Sequence, residues 1–378
     1  MDGLAEEQVE VVDLTLGRGP PRDRDVAFGH GPIVPPRDDR GSRRRRRVSR
    51  GSAGTLRHVA APVILVDIVR SGFVEGHHRG SVVALAADGS VDWAVGEVEA
   101  AIYPRSCNKP MQAVGMLRLG LDLDGELLAL ASASHSGEDF HLDGVRRILA
   151  GAGLDEAALQ TPPDYPLDDE AREVFIRSGI DKAAVAMNCS GKHAAMLATC
   201  VANNWDTTAY RDAGHLLQRT LAATFSELTG EPVASTGVDG CGAPLFSASL
   251  TGLARAFRAL VVAESGTPER RVADAIVGAP AYASGSRRDE CALMRAIPGA
   301  VAKAGAEACY GLALPDGRAV ALKIDDGTAR ARPVVMAEAL RRLGVEGEAG
   351  VDAEAVRRTG NVELLGGGQP VGELRVAF

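Results

Sequence analysis

The chain has 378 residues, 46% hydrophobic and 24% charged, an ordinary globular composition with enough length to bury a large core. Its formal net charge of −8 gives no overall attraction for nucleic acid or anionic lipid, so neither a nucleic-acid nor a membrane partner is expected. Only 4% of residues are aromatic, so Ala, Val and Leu must fill the interior, and no apolar run reaches the 18 residues of a membrane-spanning helix.

Residues 1–57 hold twelve Arg among many Pro and Gly, with almost no apolar periodicity, and read as a disordered leader. The run Arg43 to Arg47 reads as a solvated tail, because a basic stretch alone carries no base-reading chemistry. Gly51-Ser52-Ala53-Gly54 follows it instead of the apolar region an export signal needs, so a cytoplasmic location is expected. The six cysteines, at 107, 189, 200, 241, 291 and 309, form no close-spaced disulfide framework and are expected to be reduced.

Residues 58–378 read as one catalytic domain. Val63 to Val69 is an apolar run of strand length, and Ser81–Ala86 and Val91–Val95 flank a turn at Asp88-Gly89, which predicts an antiparallel hairpin. Helical spacing predicts helices over 106–119, 141–151, 169–179, 193–203, 211–229, 246–265 and 268–278. Leu127-Leu128-Ala129-Leu130 reads as an apolar strand leading into a polar turn. Strands return over 308–314, 319–323 and 371–376. Strands at both ends with helices between predict an α/β domain with helices packed on a central sheet.

Four runs carry candidate chemistry. In Arg105-Ser106-Cys107-Asn108-Lys109-Pro110, Ser106 and Lys109 are three residues apart, which puts an amine and a hydroxyl on one helix face. A serine needs such a base to lose its proton, and Pro110 requires this to be the first helical turn. In Ser134-His135-Ser136-Gly137-Glu138, Ser134 fits either a site or a helix cap. Asn188-Cys189-Ser190-Gly191-Lys192-His193 and Asp239-Gly240-Cys241-Gly242 each set one cysteine among polar and small residues. Two such thiols are either buried free cysteines or half of a soft-metal site completed by His193, Asp239 or Lys192. Lys303, between Ala302 and Ala304, is either a surface lysine or a poorly solvated base. Ser-Asp-Asn, Lys-Thr-Gly, Gly-x-Ser-x-Gly and His-Glu-x-x-His are all missing.

Together with Val74-Glu75-Gly76-His77-His78-Arg79-Gly80, Ala302-Lys303-Ala304-Gly305-Ala306-Glu307 and Pro370-Val371-Gly372-Glu373-Leu374, these blocks occur in an order that resembles the Rhizobium etli type, or class 3, of L-asparaginase. The resemblance runs from about residue 60 to the C-terminus. It implies a layered αβα sandwich similar to serine β-lactamases and glutaminases. It also implies two Ser–Lys tandems, Ser106 with Lys109 and Ser134 with Lys303, and a zinc site at Cys189, Lys192 and Cys241 with Asp239 holding a metal-bound water. A homodimer is implied as well. One departure is Cys107-Asn108 between Ser106 and Lys109, where smaller residues are common; a thiol there predicts sensitivity to oxidation.

The expected reaction is hydrolysis of L-asparagine to L-aspartate and ammonia through an acyl-serine, with either serine as nucleophile. Arg105 and His135 are the expected holders of the substrate carboxylate. The competing readings are another small amide, such as glutamine, since one methylene is worth only about 1–3 kcal/mol of discrimination, or a non-catalytic amino-acid- or metal-binding protein.

Overall fold

β-Branched side chains favour pleated backbone, and they are densest in the first strand, Val63–Arg70, of a computed structural model that describes residues 63–378. The leader expected over residues 1–57 lies outside the described residues. The strands are β1 (Val63–Arg70), β2 (Phe73–Leu85), β3 (Val91–Val95), β4 (Thr236–Val238), β5 (Pro244–Phe246), β6 (Val301–Ala304), β7 (Cys309–Ala313), β8 (Ala319–Ile324), β9 (Glu363–Gly366) and β10 (Gln369–Val376). The main sheet runs β6-β7-β8-β2-β1-β10-β9, with β3 also on β2, and every pairing is antiparallel. The predicted hairpin is present, with Val82 opposite Val95. Long β2 serves two neighbours on one side: residues 73–80 pair with β1, and 82–85 with β3. β4 and β5 form a separate small hairpin.

The helices are α1 (Lys109–Arg118), α2 (Gly125–Ala131), α3 (Asp139–Gly151), α4 (Asp169–Arg177), α5 (Ser190–Ala202), α6 (Leu216–Thr229), α7 (Leu250–Val262), α8 (Pro268–Gly278), α9 (Pro280–Ala283), α10 (Asp289–Ala296), α11 (Ala331–Arg342) and α12 (Ala353–Gly360). Local chemistry sets many of the ends. Ser249 and Thr267 cap α7 and α8 through their hydroxyls, Pro268 opens α8, and Gly230 closes α6 in the left-handed region at φ 72°. None of the described helices is long and apolar enough to cross a membrane.

Neighbouring residues of a strand point to opposite faces, and β7 shows what covers each face. A Cβ on Gly311 would fall 2.2 Å from the Phe257 ring of α7. Tyr310, on the other face, has the Arg332 guanidinium of α11 at 5.1 Å from its ring centre. α7 and α11 therefore cover opposite faces, and α6 and α8 pack on α7 with α1 beyond them. This is the expected mixed α/β layering. Leu127–Leu130 corrects one expectation: it lies inside α2, whose N-terminus is capped by Asp124, and is not a strand. A short apolar run does not distinguish a buried strand from one face of a buried helix.

Candidate active site

A 3-10 turn over Arg105–Asn108 leads into α1, with Pro110 in the first helical turn as the proline requires. The turn places Ser106 and Lys109 on the buried side, with Ser106 7% and Lys109 0% exposed. Lys109 Nζ lies 2.6 Å from Ala133 O, 2.9 Å from Ser134 Oγ and 3.1 Å from Cys189 Sγ. The hydrogen bond thus joins Lys109 to Ser134, not to Ser106 three residues before it.

Ser134 lies in the loop between α2 and α3. Glu138, not a serine, is the N-cap of α3, with its side chain and that of His141 closing a reciprocal capping box. Glu138 also accepts from the backbone N–H of Ser286 at 2.8 Å and bonds the Ser286 hydroxyl at 2.5 Å. This anchors the far end of the loop and leaves Ser134 free of the capping role.

Lys303 projects from β6 opposite Gly311, toward the face covered by α7. Its strand adjoins the 3-10 turn: the Cys107 thiol donates to Lys303 O at 3.1 Å, and a Cβ on Gly305 would sit 3.2 Å from Ser106 N. Lys303 Nζ donates to Ala304 O at 2.5 Å and stands 3.7 Å from Glu290 Oε1. The expected pairing of Ser134 with Lys303 is therefore not the one hydrogen-bonded here. Burial pulls the Lys303 amine down to about 8, with Lys109 and Arg288 acting in the same sense and Glu290 opposing them.

Cys189 immediately precedes α5, and Cys241 lies in the β4–β5 loop. Both are buried, and Lys192 Nζ donates to Cys241 Sγ at 3.2 Å. A hydrogen bond from Cys189 and the charge of Lys192 hold Cys241 as the thiolate, although burial opposes this. Cys189 keeps its proton, because the hydrogen bond to Cys241 and burial both raise it. Asp239 Oδ2 stands 4.0 Å from Cys241 Sγ, and Asp239 Oδ1 accepts from Arg105 Nε at 2.8 Å. His193 is buried and neutral, pushed down to about 4 by desolvation; its Nδ1 meets the Tyr210 hydroxyl at 2.7 Å and its Nε2 has no hydrogen-bond partner.

Among the described residues, no cluster of three or more His, Cys, Asp or Glu side chains could hold a metal. The donor chemistry fits a borderline-soft ion such as zinc only with the Lys192 amine as third ligand beside the two sulfurs. An unpartnered imidazole nitrogen on the next residue shows that this corner has polar capacity to spare.

Residues 66–376 match the family model of L-asparaginase II. The chain belongs to the L-asparaginase II family. That family's activity is L-asparaginase, hydrolysis of the side-chain amide of L-asparagine to L-aspartate and ammonia. No curated protein matches the chain in sequence. Among solved structures, a β-lactamase from Mycobacterium bovis is 14% identical with a TM-score of 0.41, the match covering 70% of this chain and 94% of that one. A hydrolase with promiscuous acyltransferase activity is 13% identical with a TM-score of 0.36, covering 66% and 91%. A Bacillus subtilis glutaminase, held covalently by 5-oxo-L-norleucine, is 12% identical with a TM-score of 0.29, covering 68% and 83%. At these values the likeness transfers no residue role.

In this L-asparaginase II chain, Ser134, Lys109, Cys189, Lys192, Cys241, Asp239 and Arg105 form one connected set, through the contacts of Lys109 with Cys189 and of Arg105 with Asp239. Arg105, at a φ of 52° rare for a side-chain-bearing residue, also reaches Glu307 at 3.5 Å and lines an open pocket of about 540 Å³ with Tyr103, Val238, Leu245 and Lys323. His135 departs from its expected role. It is fully buried, and burial holds it well below the usual imidazole range, so it is neutral. The Ser190 hydroxyl donates to Val185 O, so His135 Nε2 donates to Ser190 Oγ at 2.8 Å and leaves an acceptor at Nδ1, which cannot bind a carboxylate. Cys107 departs as well: burial and neighbouring Cys309 hold its thiol well above the usual range, so it lacks the exposed thiolate that oxidation needs. Sequence reasoning passed over Glu290, 3.7 Å from Lys303 Nζ, and over Arg288 and Arg332, which pair with Glu290.

Proposed function

We propose that this L-asparaginase works by Ser–Lys catalysis, with Ser134 as nucleophile and Lys109 as its base, beside a zinc site at Cys189, Lys192 and Cys241. The observation that supports this reading is the 2.9 Å contact between Lys109 Nζ and Ser134 Oγ. The neutral amine accepts the serine proton as Oγ attacks the amide carbon. The resulting ammonium gives a proton to the leaving ammonia. Water then clears the acyl-serine, with the same amine as base. Lys303, with its lowered pKa, supplies a second amine from the strand that adjoins the Ser106 turn, and Ser106 the second hydroxyl. Carbonyl 133 orients the Lys109 amine before and after transfer.

Cys189, Lys192 and Cys241 would hold zinc, and Asp239 stands beside them for a bound water. The ion, when bound, supplies a Lewis acid that holds and polarises a substrate oxygen. Binding requires the Lys192 ammonium and the Cys189 thiol to lose their protons, so uptake should release protons and strengthen as pH rises. Arg105, between Asp239 and Glu307 at the pocket wall, is the cation best placed for the substrate carboxylate.

The test is ammonia release from L-asparagine and, separately, from L-glutamine by zinc-loaded protein, with Ser134→Ala and Lys109→Met alongside. Each variant should lose at least about 100-fold in kcat, the scale of a lost activated nucleophile. Full turnover in Ser134→Ala would remove Ser134 from the mechanism. Faster release from glutamine would move the substrate to the longer amide.

A further inference from the structure

Charged side chains from two stretches of the chain, Arg288 to Glu290 at the start of α10 and Arg332 of α11, meet beside Lys303. Glu290, in the first turn of α10, is fully buried. Its Oε2 accepts from Arg288 Nε at 3.2 Å and lies 3.9 Å from Arg332 Nη2 of α11, while its Oε1 faces Lys303 Nζ at 3.7 Å. Arg332 Nη2 also donates to Asp289 Oδ1 at 2.7 Å, and its guanidinium lies over the Tyr310 ring. A buried carboxylate is costly unless paired and hydrogen-bonded, and this one faces three cations: Arg288, which bonds both its oxygens, Arg332, which also bonds Asp289, and Lys303. The third is the buried amine of the candidate active site.

We propose that Glu290 is a positioning residue for Lys303, holding the amine on the site side of β6 and offsetting the cations around it. The proposal rests on the reading that the free amine of Lys303 takes part in turnover. Arg288 grips both carboxylate oxygens, Nε on Oε2 and Nη2 on Oε1 at 3.2 Å each, and Arg332 lies beside Oε2, which fixes the carboxylate with Oε1 3.7 Å from the lysine amine. Without that negative charge, Lys303 is left with the cations Arg288 and Lys109, opposed only by Cys107 and its own neighbouring carbonyl. Its ammonium is then repelled and its stem loses the anchor that fixes the rotamer.

The sign of the effect follows. Glu290 favours the charged form of Lys303, against burial and the other cations. Glu290→Gln should move the acidic limb of the kcat profile down by about one pH unit. It should also lower the plateau kcat about tenfold with KM close to wild type, because the amine is misplaced while the substrate pocket is untouched. Glu290→Asp keeps the charge and the pairing with both arginines but withdraws the carboxylate by one methylene. It should fold like wild type, keep the limb and still lose several-fold in kcat.

The experiment is the kcat and KM profile against pH for wild type, Glu290→Gln, Glu290→Asp and Lys303→Met, with melting temperatures measured on the same samples. A shifted limb in Glu290→Gln with near-normal KM supports the proposal. If Glu290→Gln does not fold, the several-fold loss in folded Glu290→Asp decides. Wild-type kcat and limb in every Glu290 variant that folds, while Lys303→Met loses turnover, overturns the positioning role alone. Full turnover in Lys303→Met overturns the reading of Lys303, and the proposal falls with it.

Discussion

At the residue scale, the proposed mechanism draws on two amines with different surroundings, Lys109 on Ser134 and Lys303 on Glu290. Lys303 is half-deprotonated near pH 8, and below that pH the ammonium dominates. If its free amine serves turnover, kcat should rise about tenfold per pH unit on the acid side and level off above about pH 8. A pH–rate profile checks this, and a profile flat from pH 6 to 9 would exclude it. The thiols give a second outcome. Cys241→Ser should cut zinc stoichiometry, read by metal analysis, by at least about tenfold, because a hydroxyl replaces the thiolate that Lys192 and Cys189 support. Ser106, Lys109 and Ser134 were legible in the sequence because nucleophile and amine types stand in ordered blocks. Their partner choice was not, since the i to i+3 spacing pointed to Ser106 whereas the Lys109 amine reaches across to the loop after α2. Glu290 gave no signal, because Lys303 and Arg332, two of its partners, lie on other strands and helices.

At the scale of elements, caps and short runs decide what a sequence reader sees. The span 268–278 was readable to the residue, since Thr267-Pro268 states where α8 begins. Leu127–Leu130 was not, because four apolar residues suit a strand or a helix, and only the Asp124 cap favours α2. β6 was missed for a related reason: Val-Ala-Lys-Ala has a lysine where a core strand is normally apolar. Glu138 joins the α3 cap to Ser286 and so fixes the loop that carries Ser134. Glu138→Ala should cost about 1–3 kcal/mol, the scale of a cap plus buried groups left unpaired, visible as a lowered melting temperature. An unchanged melting temperature would show that the loop is held by other contacts.

Across the whole molecule, the two ends of the described chain close the sheet together, β1 pairing with β10 from Val66 opposite Val376 to Arg70 opposite Gly372. Through β1 this links the 74–80 block to the 370–374 block, so two of the seven recognisable segments lie in the sheet. Gly80 marks a tight crossing: a Cβ there would lie 2.2 Å from Lys323 O. Gly80→Ala should therefore lower stability by about 1–3 kcal/mol in a denaturant titration, with the site residues unaltered. The α/β class and the strand-rich ends were readable from the pattern of runs, whereas the strand order was not, because it depends on pairings hundreds of residues apart. The central claim joins this scaffold to one contact, the Lys109 amine on the Ser134 hydroxyl. The most direct measurement is the rate of ammonia release from L-asparagine by zinc-loaded wild-type protein and by Ser134→Ala at equal concentration. The expected result is sustained release by the wild type and a loss of at least about 100-fold in the variant; equal rates in the two, or no release by well-folded wild type, would contradict it.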